Sequence, residues 1–158
     1  MNKISYVNAC INAFIRSAVT VLKTMAFTEA KPGKPYNKTD HAGGGDVSGI
    51  IGMTGPSDGS MSISFTRECI LNIVSSMFGE QMGEINEEVE DAVGEITNMI
   101  CGDARRQLEE KGITIKGAIP TVITGPGHVV KHITNNPVIA IPFRTERGTF
   151  ALEISLEL

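Results

Sequence analysis

Apolar residues along this chain follow two different periods. From Val7 to Met25, the positions Ile11, Phe14, Ile15, Ala18, Leu22 and Met25 keep the helical spacing and predict a first amphipathic helix. A second helical run, Ile70, Ile73, Val74, Met77 and Phe78, begins after the capping residue Thr66 and stops at Gly79. The third and longest covers Glu87–Glu110, with Val89, Val93, Ile96, Ile100 and Ala104 on one side. Asn86 is suited to cap it, Glu87, Glu88, Glu90 and Asp91 suit the positive end of its dipole, and Lys111-Gly112 closes it.

Elsewhere the period falls to two. Ser48–Met53 and Ser60–Phe65 flank Gly55-Pro56-Ser57-Asp58-Gly59, which reads as a β-hairpin. Ile113–Thr124, a Gly125-Pro126-Gly127 turn, Val129–Ile133, and the pair Val138–Phe143 and Thr149–Glu157 are further strand candidates. Pro142 implies an edge or a bulge in the last hairpin, and Pro32, Gly33, Pro35 and Gly43-Gly44-Gly45 imply an irregular strand and a mobile loop over Ala26–Asp46.

The two hairpins match one another. Gly59-Ser60-Met61-Ser62-Ile63-Ser64-Phe65 aligns with Gly148-Thr149-Phe150-Ala151-Leu152-Glu153-Ile154, Ile50 aligns with Ile139 without a gap, and a helix stands upstream of each hairpin. The fold expected is α+β: a duplicated α–β–β–β unit, repeats about 1–79 and 86–158, forming one antiparallel sheet covered by helices in a single domain, 1–158.

A chain of 158 residues can bury a sizeable core without disulfides or metal. Its 14 basic against 18 acidic residues give a net charge of −4 with no basic stripe, which argues against nucleic acid as a partner. Cys10, Cys69 and Cys101 are odd in number and set in apolar helical contexts, which suits buried thiols in a reducing compartment. Asn8, Asn12 and Arg16 interrupt the first apolar run, so a cytoplasmic protein with no membrane segment is expected.

One face of the third helix carries candidate chemistry. Asp91, Glu95 and Asn98 fall opposite its apolar side, and Glu95-Ile-Thr-Asn98 is the only Glu-x-x-Asn in the chain. Such a stripe is ordinarily no more than the wet side of an amphipathic helix. Gly102 continues it by one turn, where glycine weakens the helix by up to about 1 kcal/mol and leaves backbone bare. Two explanations stand: close approach of another protein, or close packing within the chain.

Asp91-x-x-x-Glu95-x-x-Asn98, followed after twenty-one residues by Pro120, resembles the active-site signature of the CheX/CheC/FliY phosphatases. Glu95-Ile-Thr-Asn98-Met-Ile-Cys101-Gly102-Asp103-Ala104, Pro120-Thr-Val-Ile-Thr-Gly125 and Gly49-Ile-Ile-Gly-Met-Thr-Gly55 resemble CheX in particular, and the similarity is weakest over Ala30–Gly45. The resemblance implies an enzyme that removes phosphate from a CheY-like receiver domain. Asn98 would hold the attacking water and Glu95 would contact the receiver's lysine, with Asp91 and Gly102 on the docking surface and Pro120 structural. It further implies a homodimer joined through sheet edges and no cofactor of its own, the Mg²⁺ belonging to the receiver. The competing expectation is a non-catalytic receiver-binding module of the flagellar-switch or CheC-like type. No glutamate precedes Glu29, and aligning Asn8 with Asp91 puts Asn12 and Ile15 where Glu95 and Asn98 stand, so one site per chain is expected.

Other candidates are weaker. His128 and His132 stand four apart without a completing cysteine or carboxylate cluster. Gly125-Pro126-Gly127 lacks the lysine and the following helix of a phosphate loop, and no nucleophile accompanies Asp40-His41.

Overall fold

Each helix begins on the cap its sequence supplies. In the computed structural model, which describes residues 2–39, 45–130, 132 and 137–157, helix α1 spans Lys3–Ala26, α2 Arg67–Phe78 and α3 Glu87–Glu109. The side chains of Asn2, Thr66 and Asn86 accept hydrogen bonds from the backbone N–H groups of Ser5, Cys69 and Val89, each satisfying a donor that the first turn leaves without a helical partner. Helix α2 ends at Gly79 in the left-handed region (φ 69°), and α3 is followed by Gly112 at φ 79°, positions where a Cβ would be strained.

The strands are β1 Lys31–Pro32, β2 Tyr36–Lys38, β3 Val47–Thr54, β4 Gly59–Phe65, β5 Lys116–Gly117, β6 Thr121–Thr124, β7 Val138–Arg144 and β8 Thr149–Leu156. They form one antiparallel sheet in the order β1–β7–β8–β4–β3–β5, with β2 also on β7 and β6 also on β3. The strands of the two matched hairpins meet at the centre, where β4 pairs with β8 from Gly59↔Leu156 to Phe65↔Phe150. Around that pair the connections exchange. Strands β1 and β2, from the first half, border the second hairpin, while β5 and β6, from the second half, border the first.

Residues 47–65 and 138–156 alternate between two faces, as period-two patterning requires. One face, with Val47, Ile51, Met61, Ile63, Leu152 and Ile154, forms a continuous apolar core with the three helices. Helix α1 is by length and composition long and apolar enough to cross a membrane, despite Asn8, Asn12 and Arg16. Its Phe14, Ala18 and Leu22 are fully buried in that core, however, and it runs against α3. All three cysteines are buried and free, and burial pushes the thiols of Cys10 and Cys69 up to about 11.

The opposite face is polar yet also buried. Ser48, Ser60, Ser62, Ser64, Glu153 and Ser155 all point to it and are excluded from solvent. Part of its cover is the segment after β6. Val129–Ile133 was expected to be a strand; Val129 forms only an isolated bridge, and residues 131 and 133 lie outside the described residues. Among the described residues there, His128 Nε2 meets Ser48 Oγ, His132 Nδ1 meets Ser60 Oγ at 2.6 Å, and Val130 is buried.

Pro142 is not on an edge strand, and the bulge it implies lies outside the hairpin: between Pro32↔Phe143 and Tyr36↔Ala140, three border residues oppose Ile141 and Pro142. Strand β7 has β8 on one side and β1 and β2 on the other, and its register with β8 is unbroken from Val138↔Ser155 to Arg144↔Thr149. Pro142 O accepts from Gly33 N at 2.7 Å, so its N–H-less nitrogen faces the same outer neighbour. The border strand is accordingly divided into β1 and β2 opposite the proline. Asp40-His41 and Gly43-Gly44 lie outside the described residues.

Candidate functional site

Helix α3 is seated on the sheet through small residues. Gly49 of β3 lies beneath Thr97, whose hydroxyl donates to Val93 O at 2.7 Å, and Val93 itself is fully buried. At Gly94 an added Cβ would touch Val122 Cγ2 of β6 at 3.6 Å, and at Gly117 of β5 it would stand 3.1 Å from Cys101 Sγ. Gly94 and Gly117 therefore place β6 and β5 alongside the helix. Its other flank is held by α1, with Gln107 Nε2 donating to Ser17 Oγ at 3.1 Å and, within α3, to Asp103 Oδ2 at 3.0 Å.

With Val93, Ile96, Thr97 and Ile100 buried, the helical period turns Asp91, Glu95, Asn98 and Gly102 outward, and all four are exposed. Among the described residues, none of these side chains makes a hydrogen bond or ion pair within the chain. Glu95 and Asn98 are three residues apart and neighbours on the helix surface. A carboxylate and an amide thus face solvent side by side on a rigid element, free to engage a partner.

Gly102 has no intrachain reason to be glycine: a Cβ there meets nothing within 4 Å. Among the described residues, close packing within the chain does not explain it. Pro120 immediately precedes β6, the strand under Gly94, where a residue without an N–H is tolerated. On α1, Asn8 and Asn12 are exposed while Ile15 is partly buried, so the first helix presents no carboxylate–amide pair.

Sequence patterning missed a buried network on the polar face. Glu153, 2% exposed, accepts from Lys38 Nζ at 2.7 Å and from His132 Nε2 at 3.1 Å. Burial works against its charge, but the hydrogen bonds of His132 and Lys38 prevail and hold its carboxyl below the ordinary range. Ser60 bonds the other nitrogen of His132, which fits an imidazole with its proton on Nε2. Ser62 Oγ, in the same layer, is buried with no hydrogen-bond partner among the described residues. The signal available was a glutamate in the middle of a strand whose neighbours Leu152 and Ile154 are apolar. Ser60 and His132 are too enclosed to meet a substrate, and among the described residues no cluster of three or more His, Cys, Asp or Glu could hold a metal ion.

The family described as chemotaxis phosphatase CheX matches residues 47–144, which include the first hairpin, the whole of α3 and strand β7. The CheY-P phosphatase CheX of Thermotoga maritima is 32% identical over 116 residues, 73% of this chain and 75% of that protein. The crystal structure of the chemotaxis protein CheX from Desulfovibrio desulfuricans superposes with a TM-score of 0.88 at 45% identity, covering 94% of this chain and 99% of that one. CheX of Borrelia burgdorferi, crystallised with CheY, BeF3 and Mg²⁺, shares the fold with a TM-score of 0.79 at 24% identity, covering 94% of this chain and 97% of that one. By the extent of the family match and the identity to the Thermotoga protein, this α+β chain belongs to the CheX family of chemotaxis phosphatases.

Proposed function

We propose that this protein hydrolyses the aspartyl phosphate of a CheY-like receiver domain, with Asn98 positioning the water and Glu95 contacting the receiver's lysine. The observation that carries this reading is the outward-facing Glu95–Asn98 pair, unengaged within the chain and seated on a helix locked to the sheet. The name of the Thermotoga relative, CheY-P phosphatase CheX, supports the reaction proposed.

The chemistry asks little of the chain. A phosphorylated receiver brings its own Mg²⁺ and lysine to the phosphoryl group, so the developing charge is already met. What is missing is a water in line with the bond to be broken. The Asn98 amide oxygen accepts one of that water's hydrogens and fixes its lone pair toward phosphorus. A P–O bond to water forms as the bond to the aspartyl oxygen breaks, giving aspartate and inorganic phosphate, and the water's proton leaves with the phosphate or to solvent. Glu95 makes a charge-assisted contact with the receiver's lysine that registers the helix in the pocket. Asp91 and Gly102 belong to the docking surface, and no metal of this chain's own is required.

We further propose a cytoplasmic homodimer joined through sheet edges, where β1 and β2 on one side and β5 and β6 on the other leave backbone groups to pair. Sedimentation at micromolar concentration is expected to give twice the chain mass. The catalytic reading is tested by adding substoichiometric protein to a phosphorylated receiver and following phosphate release. Faster loss than spontaneous decay is expected; binding without acceleration would leave a docking module and not an enzyme.

A further inference from the structure

The reactive pair is bracketed by two large apolar side chains that the fold leaves in water: Met99 is 39% exposed and Ile119 is 89% exposed. Met99 stands four residues after Glu95 and so neighbours it on the helix surface. Ile119 belongs to the link between β5 and β6, and two contacts fix its level along α3. Gly117 lies against Cys101, and Val122 lies against Gly94. The link therefore runs antiparallel to the helix between those levels, which puts Ile119 near the middle, at about the level of Asn98. Around the helix axis, Asn98 lies about 40° from Gly94 and about 60° from Cys101, closer to that link than Glu95 does.

Isolated exposed aliphatic residues are ordinary. These two flank one short stretch of one helix face, with Asn98 and Glu95 between them and the open backbone of Gly102 one turn beyond. A carboxylate–ammonium contact left in water is weak, and an amide can aim one water only if others are kept away. Apolar shoulders that close on a partner supply both conditions, as rings of near-neutral contacts do around binding hot spots.

We propose that Met99 and Ile119 are specificity-determining residues for the receiver, each covering an apolar patch on the rim of its phosphorylated pocket, one on either side of the Glu95–Asn98 pair. This rests on the phosphatase reading, and its partner is the same receiver domain. It adds a selection rule: receivers with charged or strongly polar residues on that rim are poor substrates even with an intact phosphorylation site.

Ile119→Ser and Met99→Ser, singly and together, are compared with the parent protein in binding to a beryllofluoride-loaded receiver and in turnover of the phosphorylated one. Each single change is expected to raise Kd and KM roughly fivefold to tenfold with kcat within about twofold, and Ile119→Leu to restore parent values. Unchanged Kd and KM in both variants would overturn the proposal. So would a shift of Ile119→Ser to a smaller sedimenting species, which would assign Ile119 to a contact between copies. A parent protein that binds the loaded receiver without hydrolysing phosphate would sink the phosphatase reading and leave this inference standing on the Kd values. A parent that neither binds nor hydrolyses would sink both.

Discussion

Gly49 and Thr97 face each other with no room for a methyl group between them. A Cβ on residue 49 would stand 3.1 Å from the Thr97 Cβ and overlap its hydroxyl oxygen, which is already engaged with Val93 O. The height of α3 above β3 is set by this pair, one residue from Asn98. Gly49→Ala is therefore expected to destabilise the fold by about 1–3 kcal/mol through overpacking. The variant that still folds should also lose receiver turnover out of proportion to its lowered Tm, because α3 is displaced as a unit. Thermal unfolding and turnover at a temperature where both proteins are folded check this.

Asn98→Ala is expected to lower receiver dephosphorylation by roughly a hundredfold or more, the scale of losing one preorganised hydrogen bond at a reacting atom. Binding of a beryllofluoride-loaded receiver should change little. Glu95→Ala should weaken both binding and turnover. An Asn98→Ala protein with full activity would refute water positioning by that amide.

Gly102→Ala separates stability from docking. Since nothing occupies the space where the methyl would go, the substitution should stabilise α3 by up to about 1 kcal/mol. The same methyl stands on the surface proposed to meet the receiver, so affinity for the loaded receiver should fall. Denaturant midpoints and titration with the receiver are read on one preparation.

Glu153 makes stability depend on acidity. Burial alone would raise its carboxyl; hydrogen bonds from His132 and Lys38, with the charge of Lys38, outweigh that and lower it from 4.5. A group whose folded value lies below its unfolded one adds stability that is present above the unfolded value and withdrawn as pH falls through the folded value. Glu153→Gln should lower stability at pH 7 by about 3 kcal/mol, since it removes one partner of a buried charged pair. It should also flatten the acid side of the stability profile below about pH 4.5. Urea midpoints at several pH values measure both.

How much of this was legible in the sequence follows from which forces are local. Asn86, Thr66 and Gly79 announce helix ends because capping is settled within a few residues, and the structure uses all three as caps. Alternation over Ser48–Met53 and Ser60–Phe65 predicts the hairpin because one face must be dry. The exposed stripe of α3 follows in the same way from Val93, Ile96 and Ile100. The bulge that Pro142 implies was legible, but not the ladder that carries it, since the strands outside β7 come from the other half of the chain. Nor were the bonds of His128 and His132, at and beside a stretch that reads as a strand by composition, to serines 80 and 72 residues earlier. The openness around Gly102 required the positions of its neighbours.

The exchanged borders of the sheet bear on how the chain can be cut and how it assembles. A break between Gly79 and Asn86 would separate α1 and the first hairpin from α3 and the second, and each fragment would carry two short strands whose partners lie on the other. Neither piece could complete a sheet by itself, while the pair together restores every ladder. The two halves are therefore obligate complements: mixed in solution, they should reconstitute one fold, and nascent chains must hold an unfinished hairpin open until synthesis reaches β8.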